Sequence, residues 1–449
     1  MTGVNVSALL KQRALEIGFD LVGVAPLAAW KDLEFSRKWV EQGFGGEMRY
    51  LENPKRQDPR RLLPSAKSVI CVGLIYNSDY PYSTEAVGSM QKAVGSEQQP
   101  IDTRPSSSGR GRPPAKPGTG EEDGARFSNS EFRISRRAEP CAWISRYAWG
   151  RDYHEVMRPM LEEFCAAIET EAPGTETRAY VDTGPIVERA FARYSGAGWM
   201  GKNTCLINQE KGSWFFLGMV LTNLELESDF PAPDRCGTCR RCLEACPTGA
   251  LIEPYVMDAT RCIAYFTIEL KGSIPAKFRP AMGTNIFGCD ICQDVCPWNS
   301  RQSPVVSDDS QNSDQPSAVN PQPTLMETAS RPEFQPMVVT QVRASPEDSG
   351  SRGERTTDNG QRTTDFSLFN PPLDALAALT EDDFRRIFRH SPIKRAKYPG
   401  WLRNLCVTMG NSGDRKFIPW LEEARHHSDA VVREHAEWAL KRLEETREE

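Results

Sequence analysis

Eight of the chain's 13 cysteines lie between Cys236 and Cys296, and this clustering constrains the fold more than any other feature. Residues 1–20 lack the basic start, apolar centre and small-residue cleavage site of a signal peptide, and no twin-Arg pair stands there. No apolar run approaches the roughly 20 residues a transmembrane helix needs. The expectation is a cytoplasmic chain without a membrane segment. In a reducing compartment clustered thiols hold metal rather than disulfides. Cys236-x2-Cys239-x2-Cys242-x3-Cys246-Pro247 has the spacing of bacterial iron–sulfur proteins, in which three thiolates wrap one cubane and the fourth reaches the neighbouring cluster. The second half reads Cys289-x2-Cys292-x3-Cys296-Pro297, with its remaining thiol displaced upstream to Cys262. Crossover pairing assigns Cys236, Cys239, Cys242 and Cys296 to one [4Fe–4S] cluster. Cys246, Cys262, Cys289 and Cys292 then hold the other. The alternative is a pair of four-cysteine zinc sites. Zinc requires neither the third Cys at x2 nor the Cys-Pro ending in both halves. Two clusters move single electrons and break no substrate bonds, so the chain is either a carrier or an enzyme that feeds a second cofactor.

With 449 residues the chain has room for two or three domains. Its net charge of −6 excludes a wholly basic nucleic-acid coat, so any such contact needs a local patch. Periodicity predicts a helix over 7–19, strands over 21–24 and 67–76, a helix over 153–171, a strand over 178–181, a helix over 187–194 and a strand over 214–221. This alternation predicts an α/β or α+β domain across 1–225, followed by a ferredoxin-like two-cluster domain across 226–300. Residues 83–131 are polar and Gly/Pro-rich and predict an insertion without fixed structure; 301–365 predict a polar linker or insertion of the same kind. Residues 366–449 read as helices near 373–379, 381–389, 401–410, 417–425 and 430–444. These suggest one or two HEAT-type units, too few to stand without docking on the main body.

Three short motifs compete for a chemical reading. Gly196-Ala-Gly198-Trp-Met-Gly201 fits the dinucleotide fingerprint, but a helix precedes it and a strand follows, the reverse of the order a pyrophosphate site needs. A glycine-bent turn near a flat ligand is the preferred expectation. Asp152-Tyr153-His154 begins like a corrinoid D-x-H-x-x-G signature, but Met157 replaces its glycine. Asp182 ends an apolar strand ahead of Gly184-Pro185 and Glu188, where it is either an acid in a crevice or the cap of the next helix. Cys71, Cys141, Cys165, Cys205 and Cys406 have apolar sequence neighbours and predict buried small hydrophobes.

Taken together, several segments resemble the epoxyqueuosine reductase family, cobalamin- and iron–sulfur-dependent enzymes of tRNA queuosine synthesis. They are Phe19-Asp-Leu-Val-Gly-Val-Ala-Pro26, Tyr147-Ala-Trp-Gly-Arg-Asp-Tyr-His154, Val181-Asp-Thr-Gly-Pro-Ile-Val-Glu-Arg189, Gly198-Trp-Met-Gly-Lys-Asn203, the cassette through Cys296-Pro-Trp-Asn299, and Lys397-Tyr-Pro-Gly-Trp-Leu-Arg-Asn404 with Gly410-Asn411. The resemblance implies an N-terminal cobalamin-binding reductase domain, the two-cluster domain and a HEAT-like helical tRNA-binding domain. It implies cobalamin with no protein histidine beneath the cobalt, and epoxide reduction to the alkene of queuosine at the wobble base. By that resemblance Asp182 is the proton donor, with Tyr153, His154 and Arg189 lining the substrate side. Arg60, Tyr147, Asp182, Gly198, Lys202 and Asn203 are its candidate cobalamin contacts. Between Phe384 and Gly413 no Asp or Glu occurs, while Arg385, Arg386, Arg389, Lys394, Arg395, Lys397 and Arg403 accumulate, so this stretch is the candidate tRNA face. An external reductase, ferredoxin or flavodoxin is the expected electron donor, and a monomer the expected state. The two polar insertions depart from the family's compact form. The rival readings are a corrinoid reductive dehalogenase and a non-catalytic iron–sulfur electron carrier. An export signal and the lack of a C-terminal helical module would mark the first.

Overall fold

The computed structural model describes residues 5–27, 31–86, 139–299, 331–343, 355–356 and 362–445. Its centre is a four-stranded sheet in the spatial order Leu21–Pro26, Ser68–Ile75, Phe215–Thr222, Thr177–Tyr180. Every pairing in it is antiparallel, with Val22 opposite Val72 and Ala179 opposite Val220. The N-terminal domain is therefore of the α+β type. The crevice rule of parallel sheets does not account for the placement of Asp182.

All eight residues of Ser68–Ile75 are buried, because both faces of this strand are covered. Side chains alternate across a strand. Ile70, Val72 and Leu74 face the helices Val6–Ile17 and Tyr153–Glu171, meeting Leu10, Ala14, Met157, Leu161, Phe164 and Ile168. Val69, Cys71 and Ile75 pack on the other side, with Ala190 and Phe191 of the helix Glu188–Tyr194. The long helix begins where predicted because the Asp152 side chain accepts the His154 N–H as its cap.

The C-terminal helices are Leu373–Ala377, Glu381–Ile387, Lys397–Ser412, Ile418–Ala424 and Ala430–Glu445. They do not form a core of their own. Trp401, Leu405 and Met409 share one with Trp143, Ile144, Ile286 and Phe287. The short strands Trp143–Ile144 and Asn285–Phe287 of that core pair in parallel. Gly410 permits the close crossing of the last two long helices, since a Cβ there would lie 2.9 Å from the Ala439 Cα.

Part of the expected 301–365 linker is built into the fold. The strand Val338–Arg343 pairs antiparallel with Arg362–Ser367, and Val339 and Phe366 enter the C-terminal core. Phe334 enters the core under the main sheet. The predicted first insertion opens with a helix, Ser83–Ala86, whose Ser83 N–H donates to Asp294 Oδ2 at 2.9 Å. Apart from the short strand Arg355–Thr356, the rest of both polar stretches lies outside the described residues, as does Ile134, near which the sequence pattern becomes ordered again.

Arg403 departs most clearly from expectation. It is 2% exposed, and its guanidinium donates to the carbonyls of Phe266, Leu270 and Gly272. Burial pushes its pKa down to about 10. Arg403 joins the helical module to the cluster domain and is not part of an RNA face. Arg403→Met should orphan three carbonyls and lower unfolding free energy by roughly 3 kcal/mol or more. Denaturant titration that gave a wild-type midpoint would refute this role.

Candidate active site and electron path

Three side chains from two distant parts of the chain converge on one carboxylate oxygen, Asp182 Oδ2. Tyr153 Oη donates to Asp182 Oδ2 at 2.8 Å, and Arg395 Nη1 lies 3.5 Å and His154 Nε2 3.7 Å from the same atom. Asp182 sits at φ +48°, a region non-glycine residues rarely occupy. Its turn is held from behind: Arg56 Nη1 donates to the Gly184 carbonyl at 3.0 Å, and a Cβ on Gly184 would come within 2.4 Å of the Tyr180 ring. The Tyr153 ring is stacked between Phe216, at 4.3 Å and 8°, and His154, at 4.2 Å. Burial pushes the Tyr153 and Tyr147 phenols far above their ordinary pKa, so both keep their protons. Tyr153 is consequently a donor to Asp182.

The partners of these groups were not visible in the sequence. His154 Nδ1 is 2.8 Å from Asp152 Oδ1, and Lys394 Nζ is 2.8 Å from Asp152 Oδ2. Burial would raise the Asp152 carboxyl, but the bonds from His154 and Lys394 outweigh it and hold the group far below the usual carboxylate range. Asp152 therefore stays ionised and orients the imidazole. Arg395 Nη2 pairs with Glu269 Oε1 at 2.8 Å, at the end of the π-helical turn Tyr265–Glu269. Its guanidinium carbon lies 6.0 Å from the centre of the Tyr50 ring. Lys394 and Arg395, expected on the RNA face, thus pair with carboxylates of the site, Lys394 while staying exposed. Arg385 and Arg386 remain exposed in ion pairs with Glu381 and Asp383, and Arg389 and Lys397 are exposed as well. Arg189 is exposed and donates to the Thr204 carbonyl at 2.5 Å.

The glycine-rich turn serves the cysteine loops. Gly198 faces a hairpin partner, since a Cβ there would lie 2.3 Å from the Ile207 carbonyl, so the hairpin accounts for this glycine without a flat ligand. Lys202 Nζ donates to the carbonyls of Gly237 and Cys239 at 2.5 and 2.9 Å. Asn203 Nδ2 donates to the Cys292 carbonyl at 3.1 Å, while its Oδ1 accepts the Cys205 N–H. Both polar heads, expected on cobalamin, instead brace the cysteine loops. Arg60 is exposed, with Nη2 3.5 Å from the Leu27 carbonyl. Tyr147 does lie beside Tyr153, with ring centres 6.4 Å apart.

The eight cassette thiols fall into two neighbourhoods. Burial pushes the Cys242 and Cys296 thiols up, and after it Cys236 and Cys239 act on Cys242, and Cys236 and Cys242 on Cys296. Cys289 responds to Cys262 and Cys246, and Cys292 to Cys289 and Cys262. Trp199 is buried against Cys236 and Cys296, and its indole N–H is directed at the Cys236 sulfur. Cys205 is not the inert hydrophobe expected, because its thiol meets that of Cys292. Cys71 and Cys406 are buried as predicted, while Cys141 and Cys165 are half-buried.

A cysteine cassette of this spacing, in a chain that also gathers Tyr, His and Arg around one carboxylate, defines an iron–sulfur oxidoreductase. The 4Fe-4S double cluster binding domain matches residues 235–299, and the family described as "Epoxyqueuosine reductase QueG, DUF1730" matches residues 126–183. The epoxyqueuosine reductases of Xanthomonas campestris and Pseudomonas aeruginosa are each 33% identical to the chain; the matches cover 97% of this chain in both cases, and 96% and 94% of the relatives. The chain belongs to the epoxyqueuosine reductase family. Two solved structures, epoxyqueuosine reductase from Streptococcus thermophilus and an epoxyqueuosine reductase with a tRNA-Tyr epoxyqueuosine-modified stem loop, superpose at TM-score 0.66 and 26% identity. Each match covers 98% of this chain and 91% of the other. Membership in this family displaces the dehalogenase and carrier readings, and the double-cluster match displaces zinc. No helix among the described residues is long and apolar enough to cross a membrane.

Proposed function

We propose that this chain reduces epoxyqueuosine to queuosine at the wobble position of a tRNA anticodon, in the cytoplasm, with Asp182 as proton donor. The reading rests chiefly on the gathering of Tyr153, His154 and Arg395 around Asp182 Oδ2. The reaction adds two electrons and two protons to an epoxide, breaks both carbon–oxygen bonds, and yields an alkene and water. Electrons reach the site one at a time through Cys236, Cys239, Cys242 and Cys296, then through Cys246, Cys262, Cys289 and Cys292.

The residues present suit a cobalamin that takes no histidine from the protein. His154 is held by Asp152 and aimed at Asp182, while Glu188 Oε1 is buried without a partner and can accept from an amide arm. Tyr147 is the strongest remaining candidate contact, with Arg60 at the periphery. Bound cobalamin supplies a strongly reducing or nucleophilic metal centre that takes the electrons of the clusters. The chain's own part is proton delivery, since an alkoxide is a poor leaving group. The three side chains around Asp182 all lie on Oδ2, so the proton leaves from Oδ1. Tyr153 and Arg395 then stabilise the carboxylate that remains. The Asp182 side chain is 48% exposed, so solvent can return its proton for the second transfer.

The anticodon loop must offer a splayed base, and its phosphates would meet Arg385, Arg386, Arg389 and Lys397. Neutralising these four should weaken tRNA binding and reduce the salt slope by about 0.7–0.9 for each phosphate that is no longer paired with a cation. Arg395→Gln should instead cut turnover and leave that slope in place. Fluorescence titration of a stem loop across salt concentrations separates the two effects. The function as a whole is tested by mass spectrometry of tRNA nucleosides from a strain lacking the gene. Finished queuosine in that strain would overturn it.

A further inference from the structure

We propose that the surface formed by Phe230, Arg235, Arg240 and Arg241 docks an acidic one-electron carrier protein over the first cysteine loop. This inference rests on the reading above that the two cysteine quartets carry clusters. Cys262 and Cys289 sit in or against a core with Ile263, Phe266, Met282 and Val407, and Cys292 lies under Asn203. The first loop runs along the surface instead: Gly237, Thr238, Arg240 and Arg241 are all exposed between and beside its cysteines. Gly237 has no atom within 4 Å of where a Cβ would stand. Electron transfer weakens steeply with separation, so a protein donor gains most by approaching this loop.

The charges there favour an acidic visitor. Arg235, Arg240 and Arg241 are exposed on a chain that is acidic overall. The nearby acids are already engaged. Asp234 accepts from the Cys236 N–H at 2.8 Å and from Tyr255 Oη at 2.5 Å, and Glu244 lies 3.8 Å from Arg240. Arg235 and Arg241 make no ion pair with the described residues. The Lys202 ammonium adds positive charge beneath the loop, donating to its carbonyls.

Phe230 supplies the apolar anchor. Its side chain is 91% exposed, yet its backbone is fixed. Asp229 accepts from the Val24 N–H at 2.7 Å, and its own N–H donates to the Val24 carbonyl at 2.9 Å. Pro231 and Pro233 stiffen the segment that follows. An exposed aromatic ring on a fixed backbone, a few residues before exposed Arg235, belongs to the residue types enriched at protein interfaces. Each docking passes one electron from the carrier to the outer cluster, so two dockings support one epoxide reduced.

The test is stopped-flow bleaching of the cluster absorbance in holoenzyme, using a reduced acidic flavodoxin as donor. The variants are Arg235→Glu/Arg240→Glu/Arg241→Glu and, separately, Phe230→Ala. The triple variant should react about 10-fold or more slowly at low salt, with the gap closing as salt rises. Phe230→Ala should slow the reaction at every salt concentration. Reduced methyl viologen, a small cation the new charges do not repel, should reduce all variants at least as fast as wild type. Wild-type rates with flavodoxin would overturn the proposal, as would a loss that appears in tRNA affinity instead. Wild-type protein isolated without iron would remove the cluster reading itself, and the docking proposal with it.

Discussion

Asp182→Asn is expected to lower epoxide reduction by roughly 10²–10⁴-fold, the range general acid catalysis supplies. The amide keeps the size of the side chain and can still meet Tyr153 and Arg395, but it has no acidic proton to give. Because Asp182 lies outside both cysteine neighbourhoods, iron content and cluster spectra should match wild type. Single-turnover assays on a modified stem loop, with clusters reduced beforehand, isolate this step. An active Asn variant would leave another group as the acid. Apart from Arg395, which stays charged, the nearest groups are Tyr153, whose phenol is held protonated by burial, and His154.

Cys262→Ala is expected to remove one cluster and spare the other. Iron should fall from about eight atoms per chain to about four, since Cys262 stands with Cys246, Cys289 and Cys292. Turnover should vanish even though the outer cluster still accepts electrons, because the second carrier of the path is missing. Iron analysis with spectra of the reduced protein checks both parts. An unchanged iron count would break the quartet assignment. Cys205→Ser is the contrasting case. Its thiol meets that of Cys292 but belongs to neither quartet, so iron should remain at the wild-type level.

Much of the local structure was legible. The helix predicted at 153–171 spans Tyr153–Glu171, and the five C-terminal helices lie within a few residues of their predicted places. Apolar periodicity and capping residues act over one or two turns, so they can be read locally. The antiparallel order of the main sheet was not legible, since strand direction depends on which distant segments pair. The strand Val338–Arg343 was hidden in a polar stretch because its partner, Arg362–Ser367, starts nearly twenty residues further on.

Long polar side chains account for most of the misplaced residues. Lys202, Asn203, Lys394, Arg395 and Arg403 were assigned to ligands from their charge and position, and each turns out to hold another part of the protein. A basic residue next to an exposed helix can reach solvent or turn inward. Only the acceptors waiting at the other end decide which. Glu269 and Asp152 are such acceptors, and no motif marked them.

Cysteine spacing by itself determined that the chain carries a double-cluster domain, because a short loop can place three ligands only around one centre. It could not determine what that domain serves. That followed from the tertiary structure, which carries Arg395 and Lys394 from the C-terminal helices to Asp182 and Asp152 of the N-terminal domain. Contacts across more than two hundred residues depend on how cores pack together, and no local pattern in the chain encodes them.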